Sequence, residues 1–168
     1  MSNSFSRAFG DPDTFDSEPT ATATPHQQDY EFSEQVGHLL RRAYQRHTAI
    51  FQSQSCDRQL TAIQFVTLCT IMDNGPSALT DLVKATAIDP ATIRGVIKRL
   101  KTRDWISLSS DPSDQRKVIV DITLAGRELV ATMVPRAKRI SDMTMGRLNP
   151  AERVALMHLL EKMNASES

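Results

Sequence analysis

The chain has 168 residues, 40% of them hydrophobic and 24% charged, which is enough apolar material for one packed domain and too polar for a membrane protein. Lys and Arg number 20 and Asp and Glu 20, but the cancellation hides a division: residues 1–34 hold one base, Arg7, against seven acids, a charge of −6, so the remainder carries +6. No apolar run approaches the ~20 residues of a membrane helix, and the N-terminal stretch lacks the basic-then-apolar layout of a secretory signal, so a cytoplasmic protein without membrane association is expected.

Residues 1–28 are rich in Ser, Thr, Pro and Asp and show no apolar periodicity, so they read as a disordered acidic tail ahead of a folded unit over 29–168. From Tyr30 onward Val36, Leu40, Ala43, His47 and Ile50 recur at helical spacing and predict a first helix over about 31–52. A second begins at Leu60-Thr61, where Thr61 and Gln64 have capping-box spacing, and ends at Asn74-Gly75-Pro76. A short third helix spans about 79–86. Asp89-Pro90 then supplies a capping side chain and a proline harmless at the first helical position, followed by Ile93, Val96, Ile97 and Leu100 at helical spacing.

After Arg103-Asp104 the period changes from helical to alternating, and the run from Trp105 to Ile122 reads as a β-hairpin whose tip is polar. Thr123 caps a fifth helix running to about Met145, with Leu129, Met133, Ala137 and Ile140 as its stripe and a kink expected at Pro135. Asn149-Pro150 opens a sixth, with Val154, Met157, Leu160 and Met163 on its apolar side. The first and last two helices carry stripes too long for one subunit to cover. A homodimer satisfies them.

The second helix of the central pair places Thr92, Arg94, Gly95, Lys98 and Arg99 opposite its apolar side. A helix of this kind fits a major groove about 12 Å wide. From Lys84 to Lys117 eight bases stand against four acids, a local charge of +4 that suits a phosphate footprint. A solvated basic face is the plainer reading of such a helix, and the adjoining hairpin shifts the balance towards DNA. At its tip Arg116 is tethered by a carboxylate two residues away, Asp114, an arrangement suited to the negative potential of a narrow minor groove. Catalysis finds no support: there is no phosphate-cradling Gly-rich loop, His-Glu-x-x-His or nucleophile elbow, and His26, His38, His47 and His158 lack metal-ligand spacing. No enzyme, cofactor or metal is expected.

The stretch Ser109 to Leu129, SSDPSDQRKVIVDITLAGREL, resembles the wing signature of MarR-type winged-helix repressors, with Asp114, Arg116, Thr123, Gly126 and Arg127 in the signature places and Ile122 where Leu is usual. The resemblance extends over about 31–163. It implies a mainly α fold: a winged helix-turn-helix over about 60–122 between dimerisation helices over about 31–52 and 123–164. It further implies a homodimeric transcriptional repressor on a pseudo-palindromic operator in double-stranded DNA, with the fourth helix in the major groove and Arg116, held by Asp114 and flanked by Lys117, in the minor groove. Thr92 and Arg94 are then expected at base edges, and Lys98 and Arg99 at phosphates. Asp104 departs from the Gly common after the recognition helix, but Asp tolerates the left-handed conformation.

Regulators of this type commonly bind small aromatic acids or phenols between the dimer helices and the winged domain. His38, Arg41, Tyr44 and His47 on the first helix offer cationic and aromatic groups for a carboxylate and a ring. Two other readings remain: a thiol-based redox sensor, although no Cys precedes Cys56, and a winged protein-interaction module that does not bind DNA.

Overall fold

The computed structural model describes residues 31–165; the expected acidic tail lies outside the described residues. Their elements follow in the order α1 (Val36–Gln54), α2 (Ala62–Asn74), β1 (Ser77–Ala78), α3 (Leu79–Thr86), α4 (Pro90–Thr102), β2 (Ile106–Ser110), β3 (Val118–Ile122), α5 (Leu124–Thr144) and α6 (Pro150–Asn164). The helix-turn-helix and wing lie between the long helices, as expected.

Local chemistry sets most of these boundaries. Thr61 accepts from the Gln64 N–H at 3.3 Å while the Gln64 side chain accepts from the Thr61 N–H at 2.8 Å, and Asn149 and Glu152 close a second capping box at the head of α6. Asp89 caps α4 through the N–H groups of Ala91 and Thr92. Thr123 accepts from the Gly126 N–H at 3.1 Å and donates to the Asp104 carbonyl at 2.7 Å, tying the start of α5 to the end of the recognition helix. Asp104 has φ 55°, in the left-handed region expected of it, and Ala87 turns α3 into α4 at φ 53°. Pro135 lies inside α5, whose helix continues through it to Thr144.

Two elements differ from the sequence reading. Helix α1 starts at Val36, not Glu31, because Gln35 is extended at φ −66°, ψ 130° and residues Phe32–Glu34 form a separate 3-10 turn. The hairpin also gains a third strand: β1 pairs antiparallel with β3 through Ser77↔Val120, giving the order β1-β3-β2. Two residues are too few to show an alternating pattern, so only the partner strand reveals them.

One continuous core joins the reading head to the long helices. Leu68, Ile71, Leu82, Ile93, Val96, Leu100, Ile106 and Val120 are fully buried within it, as are Val130 and Met133 of α5. At roughly 1.5–3 kcal/mol for each fully buried aliphatic side chain, Ile93, Val96 and Leu100 anchor α4, and its cationic side is not needed to hold it. By contrast, none of the residues of α6 is buried, and Val36, Leu40 and Tyr44 of α1 and Val154, Met157 and Met163 of α6 stand exposed. Apolar surface on this scale marks an interaction face.

Candidate nucleic-acid interface

The exposed side of α4 follows from its periodicity. Ile93, Val96, Ile97 and Leu100 turn inward, so Arg94, Lys98 and Arg99 are left on the outside and exposed. Thr92 is half-buried and engaged: its side chain and N–H both bond Asp89, and these bonds hold the Asp89 carboxyl below the usual carboxylate range. Gly95 opens a gap in the same side; the nearest atom to a Cβ placed there is the Arg99 guanidinium at 3.5 Å.

The wing tip is built from short-range hydrogen bonds. Asp111 Oδ1 accepts from the Ser113 N–H at 2.7 Å, the Ser113 hydroxyl and the Asp114 N–H at 3.2 Å, and the Ser113 bonds hold the Asp111 carboxyl below its ordinary range. The Lys117 N–H donates to the Asp114 carbonyl at 2.8 Å, closing the turn. Asp114 Oδ1 accepts from the Arg116 N–H at 3.1 Å and stands 3.5 Å from Arg116 Nε. The Arg116 side chain is nonetheless 94% exposed, and Lys117 beside it is exposed too. Both Asp89 and Asp111 have lowered pKa values in the fold, so the bonds they make are fully present above the unfolded carboxylate pKa and are lost as pH falls through the lowered ones.

An apolar-floored cleft of about 450 Å³ separates α4 from the wing, with Leu79, Ile97, Leu108 and Val118 below and Arg94 and Lys98 at its rim. The structure thus brings Arg94 and Lys98 against the wing strands and leaves Arg99, Arg116 and Lys117 exposed. It also removes one cation from that group. Arg103 is bound to Asp57 and Gln59 and stacks on Trp105, so its charge is not part of the exposed footprint.

The candidate effector residues are less gathered. They are spaced by three along α1, and at about 100° per residue the series winds half-way round the helix, leaving His38 and His47 on opposite sides. His38 packs on Phe32 with ring centroids 4.5 Å apart and the rings tilted by 54°. Arg41 and Tyr44 are exposed. The Thr144 hydroxyl donates to the Ile140 carbonyl, so His47 Nδ1, 3.1 Å from that oxygen, donates to it and braces α1 against the end of α5. Arg46, absent from the sequence reading, reaches the same end and donates to the Thr144 and Met143 carbonyls.

The two thiols are both free and half-buried. Burial, reinforced by Asp73, pushes the Cys69 thiol above its ordinary pKa, which opposes formation of the reactive thiolate. Cys56 is half-buried and its N–H donates to the Met133 sulfur at 3.4 Å. Among the described residues no cluster of His, Cys, Asp and Glu is suited to a metal, and no helix is long and apolar enough to cross a membrane.

Comparison with known proteins agrees with this geometry. The MarR family model matches residues 60–118, from the start of α2 into the wing. The chain is 59% identical over 138 residues to the HTH-type transcriptional repressor NicR of Pseudomonas putida, covering 82% of this chain and 87% of NicR. Among solved structures, Bordetella bronchiseptica BpsR, whose DNA binding is regulated by 6-hydroxynicotinic acid, is 60% identical with a TM-score of 0.77, over 82% of this chain and 99% of that one. A mutant MarR from E. coli complexed with operator DNA shares the fold at 22% identity, TM-score 0.71, over 77% and 94% of the two chains. With its recognition helix and wing in place, the chain belongs to the MarR family of winged-helix, DNA-binding transcriptional regulators.

Proposed function

We propose that this protein is a homodimeric repressor that binds a pseudo-palindromic operator with half-sites about one helical turn apart and is released by a small anionic aromatic acid. The observation that carries the DNA reading is Arg116, held at a rigid wing tip by Asp114 yet 94% exposed, next to the bare cationic side of α4. Arg94 reads base edges in the major groove together with Thr92, whose part is limited by its bond to Asp89; Lys98, Arg99 and Lys117 meet phosphates. A second copy covers the exposed apolar stripes of α1 and α6. A regulator of this kind acts in the cytoplasm, where the DNA is.

Gly95 gives a test of close approach. Gly95→Ala is expected to stabilise the free protein by about 0.5–1 kcal/mol, since a helical glycine is unfavourable and the space is open. The same methyl is expected to weaken operator binding; tighter binding in an anisotropy titration speaks against α4 lying flat on the base edges.

The effector class follows from Arg41 and Tyr44 of α1, which present a guanidinium and a phenol on neighbouring faces, while His38 and His47, on opposite sides of the helix, flank that pair. BpsR, which responds to 6-hydroxynicotinic acid, supports a pyridine carboxylate. Adding 6-hydroxynicotinate, nicotinate and benzoate to the protein–operator complex is expected to release the DNA with at least the first. Release by peroxide alone would overturn this in favour of thiol sensing, and capture of a protein partner with no duplex binding would favour the docking module.

A further inference from the structure

Arg103 ends the recognition helix as its C-terminal cap, and its side chain reaches across to the loop between α1 and α2. One nitrogen bonds Asp57 Oδ2, another bonds Gln59 Oε1, and the guanidinium carbon lies 4.2 Å from the centre of the Trp105 ring. The two charged partners are 32% and 25% exposed. Asp57 is held in place in turn: its Oδ1 accepts from the Gln59 N–H at 2.7 Å, and its carbonyl accepts from Ser55 and Leu60. One face and two nitrogens of the guanidinium are thus used, the geometry for which arginine and not lysine is suited.

The loop carrying Asp57 and Gln59 is the joint between α1 and α2. It is fixed to α5 as well, because the Cys56 N–H donates to the buried Met133 sulfur and Arg136 donates to the Gln54 carbonyl at 3.2 Å. On the other side of Arg103, Asp104 and Trp105 accept from Thr123 at the head of α5. The end of the recognition helix is therefore gripped between the end of α1 and the start of α5, two long helices that pack on each other within the chain.

We infer that Arg103 is a positioning residue for DNA reading: clamped between Asp57, Gln59 and Trp105, it sets the orientation of α4 relative to the joint between α1 and α2, so that a shift of that joint reaches the reading head through it. The inference rests on the DNA-reading function proposed above. Coupling of this kind needs a physical connection that both parts bias, and the Arg103 clamp is such a connection between the α1–α2 loop and the end of α4.

The sign of the Asp57 effect separates positioning from charge. Removing an acid from a DNA-binding protein strengthens phosphate binding if charge alone matters. With a duplex that the wild-type protein selects from a random pool, and a scrambled duplex of equal length, Asp57→Asn is expected to weaken the selected duplex at least about tenfold, on the scale of one mismatched base pair, and to leave the scrambled one unchanged or slightly tighter. Arg103→Lys, which keeps the positive charge, is expected to do the same. Unchanged or tighter binding of the selected duplex by both variants overturns the inference. So does a parallel loss on both duplexes by Arg103→Lys with no loss by Asp57→Asn, which marks the Arg103 guanidinium as a direct phosphate contact. A wild-type protein that selects no sequence defeats the DNA-reading function itself, an outcome seen before any variant is made. If one variant fails to fold, the other carries the test.

Discussion

Gly126→Ala is expected to cost about 3 kcal/mol of stability, at the upper end of what overpacking a closed core does. A Cβ at this position falls 2.2 Å from the Trp105 carbonyl oxygen and 2.8 Å from Ile122 Cγ1. Neither neighbour has room to move. The Trp105 carbonyl accepts from the Thr123 N–H at 3.1 Å, and Ile122 belongs to β3, paired with Ile106. The methyl forces the start of α5 off the corner that joins recognition helix and sheet, so the loss falls on the whole fold. Urea unfolding of the variant beside wild type checks it; a change below about 0.5 kcal/mol means that α5 does not pack on this corner as described.

Arg116→Ala is expected to leave the fold intact and to cost about 1–3 kcal/mol of operator affinity, roughly a factor of five to 150. The fold is spared because the side chain is 94% exposed and its ion pair with Asp114 is a surface pair, a kind worth little to stability. The affinity is lost because the wing presents this residue at a fixed height: the tip is closed by Asp111 and by the Lys117–Asp114 backbone bond, so the backbone carrying Arg116 has little freedom to lose on binding. Asp114→Ala is expected to act in the same direction with a smaller effect, since Arg116 remains but is no longer held. Equal binding by wild type and Arg116→Ala removes the wing from the interface and favours protein docking. These readouts are independent of the Gly126 test, which measures folding without DNA.

Much of the molecule could be read before any coordinates. The caps at Thr61, Asp89, Thr123 and Asn149 were legible because a capping side chain bonds an N–H two or three residues ahead, and the wing was legible because Asp114 and Arg116 are two residues apart. Asp104 as a stand-in for glycine was legible for a similar reason, its left-handed φ being a property of one residue. What escaped had partners far along the chain. β1 is a strand only by virtue of Val120 and Ile119, and Arg46 earns its place only when α5 ends beside it.

The exposed cations show the same division most plainly. Residue types and spacing by themselves determined which side of α4 would be buried, where the capped helices would begin, and that a cationic hairpin tip would follow the recognition helix, because these rest on bonds and periodicities spanning a few residues. Only the tertiary structure decided which of those charges are free. Arg103 counted with Arg94, Lys98 and Arg116 in the chain, yet 46 residues away Asp57 neutralises it, while Arg116 stays in solvent. Likewise the side chains of His38 and His47 share a helix and a chemistry but not a direction. A charge is settled by what stands across from it, and that neighbour exists only once the chain has closed.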